Sequence, residues 1–350
     1  MHRCGLRALM TGLAFGIIRL SQADTTGTVS APAHQAFPAQ RVGAEVTGCN
    51  SYLLTVGNID RSLRFYRDVI GLELLRTPGA PSPQPTIQRL TATPGALWRS
   101  AAFHLPLTST ELLLSEFTRI PRRALRPRAV DPGAATLVVT VRDLGPILAA
   151  ARNAQTPILT RGGQPLSPHP GERAIVFLDP DGVSVSVSER RSAPPGAAAV
   201  AASVAEGNVV SARMTYTVAA PATVIRFYRD ALALNVVAGS YASSSMLNAL
   251  IDSPGAQYDS IRAAPTGDQG LIEFVSYRDI ARHTYRGRPQ DPGTPGIALT
   301  VRNLSAALRR VRAAGAAVVT AGGEPVTTAH GAQAIFVHDP AGMLLELTQE

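Results

Sequence analysis

The 350-residue chain contains no lysine, so all 33 of its Lys+Arg residues are arginine. Against 25 Asp+Glu they leave a formal charge of +8. Aromatic residues are scarce as well, at 5%, and the arginines are scattered through expected helices and loops. A nucleic-acid surface concentrates its basic residues and usually interleaves stacking partners. No nucleic-acid partner is therefore expected, while anionic small ligands stay open. No apolar run comfortably spans a bilayer. The one from Ala8 to Ile18 follows His2, Arg3 and Arg7 and precedes Arg19 and the small residues Ser21 and Ala23. That order reads as a secretory signal over residues 1–23, with export to the periplasm or the extracellular space and no other membrane association. Cysteine is limited to Cys4 and Cys49. Removal of the signal leaves Cys49 alone, which excludes an intramolecular disulfide and leaves packed cores to supply stability. With 45% hydrophobic and 17% charged residues, the chain is neither disordered nor a multi-span membrane protein.

What the chain does have is repetition. The stretch FYRD at 65 returns at 227, DPG at 131 returns at 291, TVRDL at 140 returns as TVRNL at 300, and GGQP at 162 returns as GGEP at 322. The offset is 162 for the first pair and 160 for the others, which marks a tandem duplication. Residues 24–45 and 191–207 are Ala-, Pro- and Ser-rich and read as a disordered leader and a linker. Two domains result, 46–190 and 208–350. Each repeats internally the order strand, helix, then a run of strands. Asp60, Asp143 and Asn303 are candidates to cap helices, and Pro221 stands near a helix start. FYRD closes the first helix of each repeat, with Phe65, Tyr66, Phe227 and Tyr228 as core residues. The two GG motifs precede strands and read as turns.

Paired strand-helix-strand-strand-strand units, with FYRD ending the first helix and DPDG at 179 opening the last strand, resemble the vicinal oxygen chelate superfamily of glyoxalases, bleomycin resistance proteins and extradiol dioxygenases. The resemblance implies an α+β fold in which two βαβββ units form one curved, mostly antiparallel sheet around a cleft, with helices outside. In that family a divalent metal commonly sits in the cleft, held by His, Gln or Glu on the opening and closing strands. Carried onto this chain, those positions fall on Ser51, Leu113, Thr136 and Ser186 in the first repeat, and on Arg213, Glu273, Gly296 and Glu346 in the second.

Two carboxylates and no imidazole make a poor set of divalent ligands. No cofactor is expected, or at most a weakly held divalent ion on Glu273 and Glu346. A lone buried carboxylate is costly, so Arg213 is expected to neutralise both acids in an arginine–carboxylate cluster. Ser51, Thr136, Ser184 and Ser186 are candidate hydroxyl contacts to a ligand. Arg282, with Arg122, stands in a basic connection at the cleft rim. No histidine falls on a ligand position: His34 and His169 lie in the leader and a loop, His330 and His283 in connections, and His104 and His338 on strands. If the units exchange partners, the sets become Ser51, Leu113, Gly296 and Glu346 in one cleft, and Thr136, Ser186, Arg213 and Glu273 in the other. The leading expectation is metal-independent binding of a small organic molecule, anionic ones included. The alternative is a lyase, isomerase or dioxygenase using Glu273 or Glu346 in proton transfer.

Overall fold

A computed structural model describes residues 46–168, 170–190, 207–265 and 271–349. The expected signal segment, the leader, most of the linker and His169 lie outside the described residues. Four units are present, opening with the strands Val46–Thr55, Ala135–Val141, Val209–Thr217 and Pro295–Val301 and closing with Glu111–Thr118, Ser184–Arg190, Ile272–Arg278 and Leu344–Gln349.

Of the two pairings left open by the sequence, the exchanged one is found. The first and fourth units form one 10-stranded sheet and the second and third form an 8-stranded sheet. Val46–Thr55 runs antiparallel to Pro295–Val301, with Ser51 opposite Ala298 and Leu53 opposite Gly296. Ala135–Val141 runs antiparallel to Val209–Thr217, with Thr136 opposite Thr215 and Val138 opposite Arg213. The repeats 46–190 and 208–350 therefore each contribute one unit to each sheet.

Strand alternation sorts the side chains. Tyr52, Leu54, Leu137, Val139, Met214, Tyr216, Ile297 and Leu299 join one core shared by both sheets and their helices. The residues between them occupy the opposite face, called here the cleft face. Two tyrosines cross the shared core. Tyr52 donates to the Leu271 carbonyl at 2.6 Å and Tyr216 to the Gly296 carbonyl at 2.7 Å, each reaching into the other sheet. FYRD adopts a π-helical turn in both repeats, at Arg64–Val69 and Phe227–Ala231. Tyr66 and Tyr228 are buried as expected. Their hydroxyls donate to Asp179 at 2.8 Å and to Asp339 at 3.1 Å in the DPDG and DPAG turns. Each sequence repeat thus stays a packing unit through its helices while exchanging strands through its sheets.

The first helix, from Ile59, is capped by Asn58, whose side chain accepts from the Arg61 N–H; Asp60 lies inside the first turn rather than at the cap. Asp143 accepts from Gly145 N–H, Asn303 caps Leu304–Ala313, and Pro221 opens its helix. Each unit 1 and unit 3 also carries a short helix absent from the sequence reading, Pro85–Leu90 and Ser245–Leu250.

The connections after Thr118 and Arg278 carry each repeat from one sheet to the other and lie against one another. Leu125 N–H donates to Pro292 O and Tyr285 N–H to Pro132 O. Buried Asp131 accepts from Arg128 and from His283 N–H; buried Asp291 accepts from Arg288 and from Arg123 N–H. Burial alone would raise both carboxyls, yet these donors hold them below the usual aspartate value. Gly133, at φ +95°, leaves only 2.1 Å between an added Cβ and the Tyr285 carbonyl oxygen. Gly133→Ala should destabilise the protein by at least about 2 kcal/mol in urea unfolding. Gly79→Ala, with open space around it, should change stability by less than about 0.5 kcal/mol; equal effects would show that the crossing does not constrain the fold.

Candidate functional site

The exchange separates the two glutamates that the second repeat brings together in sequence. Glu273 stands in the sheet of units 2 and 3, and Glu346 in the sheet of units 1 and 4. The expected three-residue cluster is corrected to one ion pair and one isolated acid, because the partner strands come from different repeats.

In the sheet of units 2 and 3, Arg213 Nε donates to Glu273 Oε2 at 2.6 Å and Thr215 Oγ1 to the same oxygen at 3.3 Å. The pair is only partly shielded, with side-chain exposures of 31% and 17%. Glu273 favours the charged form of Arg213 and raises its pKa. One strand further out, Arg262 lies opposite Glu273 on the same face. On the other flank, Thr136 pairs in register with Ser184, and Val138 with Ser186. Ser184 is buried and Thr136 and Ser186 half-buried. This face is lined by hydroxyls, with two arginines around one carboxylate.

The sheet of units 1 and 4 is different. Ser51 is buried, but its Oγ donates to Glu111 Oε1 at 3.3 Å, and Arg76 holds Glu111 through two hydrogen bonds at 3.1 and 2.6 Å. Ser51 is thus committed to a protein partner. Leu53, Leu90, Ala298, Val326, Ala334, Phe336 and Leu344 form an apolar cluster with Leu113 packed against it. Glu346 lies in this face, opposite Ala298 and Phe336, with no hydrogen bond or ion pair among the described residues. Burial pushes its carboxyl up to about 7 while the side chain keeps partial access to water.

Arg282 belongs to the crossing connection, and its Nη1 is buried without a hydrogen-bond partner among the described residues. Arg122 Nη1, its counterpart, donates to Gly57 O. Of the strand histidines, His104 lies opposite Glu111, and His338, lowered by burial and by Arg286, meets Gly342 O at 3.0 Å. Asn248 and Tyr258, which the sequence reading passed over, also border the face of units 2 and 3. Asn248 stands 160 residues after Gln88, and that offset was the available signal.

A family model described as the Glyoxalase/Bleomycin resistance protein/Dioxygenase superfamily matches residues 48–187 and 211–347. Among solved structures, glyoxalase I from Zea mays is similar at a TM-score of 0.55 and 13% identity, covering 86% of this chain and 92% of that one. A putative dioxygenase from Bacillus subtilis is similar at a TM-score of 0.52 and 16% identity, covering 88% of this chain and 86% of that one. At these identities the likeness speaks for the fold. No curated protein matches the chain in sequence.

The raised carboxyl of Glu346 has a measurable consequence. A folded pKa near 7 means that the native state holds a proton the unfolded chain releases at about 4.5. The resulting stabilisation is full below the unfolded value and is lost as pH rises through 7. Glu346→Gln, which mimics the protonated acid, should therefore match the wild type near pH 4.5 and exceed its melting temperature at pH 8. A pH-independent difference between the two would place this carboxyl in water.

Proposed function

Since the chain belongs to the Glyoxalase/Bleomycin resistance protein/Dioxygenase superfamily, we propose that it binds a small organic acid, without a metal, on the cleft face of units 2 and 3. The Arg213–Glu273 pair among free hydroxyls carries this reading. A partly shielded guanidinium keeps donors beyond the one spent on Glu273, and its planar head suits a carboxylate. The hydroxyls of Thr136, Ser184 and Ser186 make no hydrogen bond to a described residue, and the half-buried Thr136 and Ser186 offer theirs to a ligand. The donor chemistry supports metal independence. Thr136, Ser186, Arg213 and Glu273 offer one anionic oxygen ligand beside a cation, and Ser51, Leu113, Gly296 and Glu346 offer one carboxylate among apolar groups. Neither set suits a divalent ion. We read both as metal sites that have lost their ligands, in a protein exported by its first 23 residues.

The test uses simple carboxylates such as benzoate, with benzylamine as the cationic control. Removing Arg213 alone would strand Glu273, so the informative variant is Arg213→Met/Glu273→Leu. The wild type should bind benzoate in preference to benzylamine by ligand-observed NMR, and the double variant should lose at least about tenfold in affinity, some 1.4 kcal/mol. Unchanged binding in the variant would place the site elsewhere.

Glu346 supports a second, enzymatic reading. A carboxyl near 7 beside an apolar floor is poised to take a proton next to a carbonyl at neutral pH. Such a protein would catalyse exchange of the C–H hydrogens of hydroxyacetone into heavy water. Glu346→Gln should abolish that exchange while leaving benzoate binding intact.

A further inference from the structure

Five buried side-chain atoms lack a hydrogen-bond partner among the described residues; two are Asp259 Oδ1 and Thr294 Oγ1, and the other three belong to segments beside the cleft face of units 2 and 3. These three are Asn248 Oδ1, Tyr258 OH and Arg282 Nη1. Each comes from a different segment, and the three segments border one apolar cluster. Ile251, Ala256 and Tyr277 form it with Ala129 and Val130, and Tyr258, Val275 and Ile280 pack against it. Asn248, only 5% exposed, spends its amide N–H on the Ala256 carbonyl at 3.0 Å, two residues before Tyr258, which leaves its oxygen unused. Tyr258 lies opposite Tyr277 in the sheet register. It shares the cleft face with Arg262, since the two are four positions apart on one strand. Burial raises its pKa, so it is a neutral donor at any ordinary pH.

At the equivalent end of the other cleft face two of the three counterparts are hydrogen-bonded, and Trp98 stands where Tyr258 is. Gln88 takes the place of Asn248 and donates to Ala96 O at 2.7 Å. Arg122 takes the place of Arg282 and donates to Gly57 O at 3.1 Å. Orphaned buried polar groups are costly, and native structures contain few of them. Three of the five border one cluster of units 2 and 3, whereas Gln88 and Arg122 of the other repeat are hydrogen-bonded, and that asymmetry points to a ligand that satisfies them.

We propose that Asn248, Tyr258 and Arg282 form a second polar subsite, which binds a hydroxyl- or amide-bearing aromatic group at the far end of the ligand whose acid meets Arg213. This rests on the reading of the cleft given above. Arg282 and Tyr258 donate to the ligand's oxygen, Asn248 Oδ1 accepts its O–H or N–H, and the rings of Tyr258 and Tyr277 with Ile251 and Ile280 supply an apolar wall for its body. Strand spacing sets the ligand's length. Tyr258 is four residues from Arg262, which faces Glu273, or about 13 Å along the strand. The ligand is thus an extended organic acid with an acidic end and a phenol- or amide-like end on the order of 10–15 Å apart.

The experiment compares phenyl-terminated and 4-hydroxyphenyl-terminated straight-chain carboxylic acids, with chains of roughly four to eight carbons, by calorimetry. The hydroxyl should add at least tenfold in affinity at the longer lengths and nothing at the shortest. Asn248→Ala and Arg282→Gln should erase that gain, while the affinity of benzoate stays at the wild-type value. Tyr258→Phe, which keeps the packing and removes only the hydroxyl, guards against a folding defect in the other two. A hydroxyl gain that survives all three variants, or is absent at every length while benzoate still binds, overturns the subsite alone. Failure of every acid to bind overturns the subsite together with the cleft reading.

Discussion

Two buried aspartates hold the molecule in its exchanged form. Asp131 and Asp291 each grip an arginine of their own turn and a backbone amide of the opposite connection. Each is essentially inaccessible to water, so an unpaired carboxylate there would be strongly unfavourable. Satisfying both at once requires the two connections to lie side by side. Gly133 and Gly293 make the contact sterically feasible, since a side chain at either would strike the neighbouring main chain. With the connections crossed in this way, unit 1 meets unit 4 and unit 2 meets unit 3.

The chemistry of the clefts follows from that crossing. Had each repeat closed on itself, Arg213 would face both glutamates and the first repeat would hold only hydroxyls and leucine. Instead the acids are divided. One sheet pairs Glu273 with Arg213 across adjacent strands and meets it with the hydroxyls of unit 2. The other leaves Glu346 among Phe336, Ala298 and Leu344, where desolvation raises its pKa. Two positions that arose by duplication thus differ because their neighbours come from different units. The sheets remain coupled through the reciprocal tyrosines 52 and 216, so neither cleft is built independently of the other.

Much of the fold was legible in particular residues. The recurrence of FYRD and DPG located the units, and Asn303 and Pro221 located helix starts, because caps and proline act within one turn of the chain. Tyr66 and Tyr228 read as core from their place at the end of an apolar helix face, and they are core. Asp60 misled because Asn58, two residues earlier, offers the extended backbone that a cap requires. The short helices Pro85–Leu90 and Ser245–Leu250 escaped notice because six residues carry too little periodicity to register. Their end residues, Leu90 and Leu250, are fixed by side chains of the partner unit, Thr320 and Thr160.

The candidate site divides along the same line. That Arg213 and Glu273 belong to one cleft face follows from strand alternation and from their places in one unit, both local properties of the sequence. Which acid stays isolated is a matter of the pairing between units, and Ser51 is taken up by Glu111, 60 positions along the chain. Alternation assigns a side chain to a face with period two, whatever strand lies alongside. The identity of that strand is set by pairs far apart in the sequence, from Val141 with Val209 to Val46 with Val301, and no short window along the chain contains them.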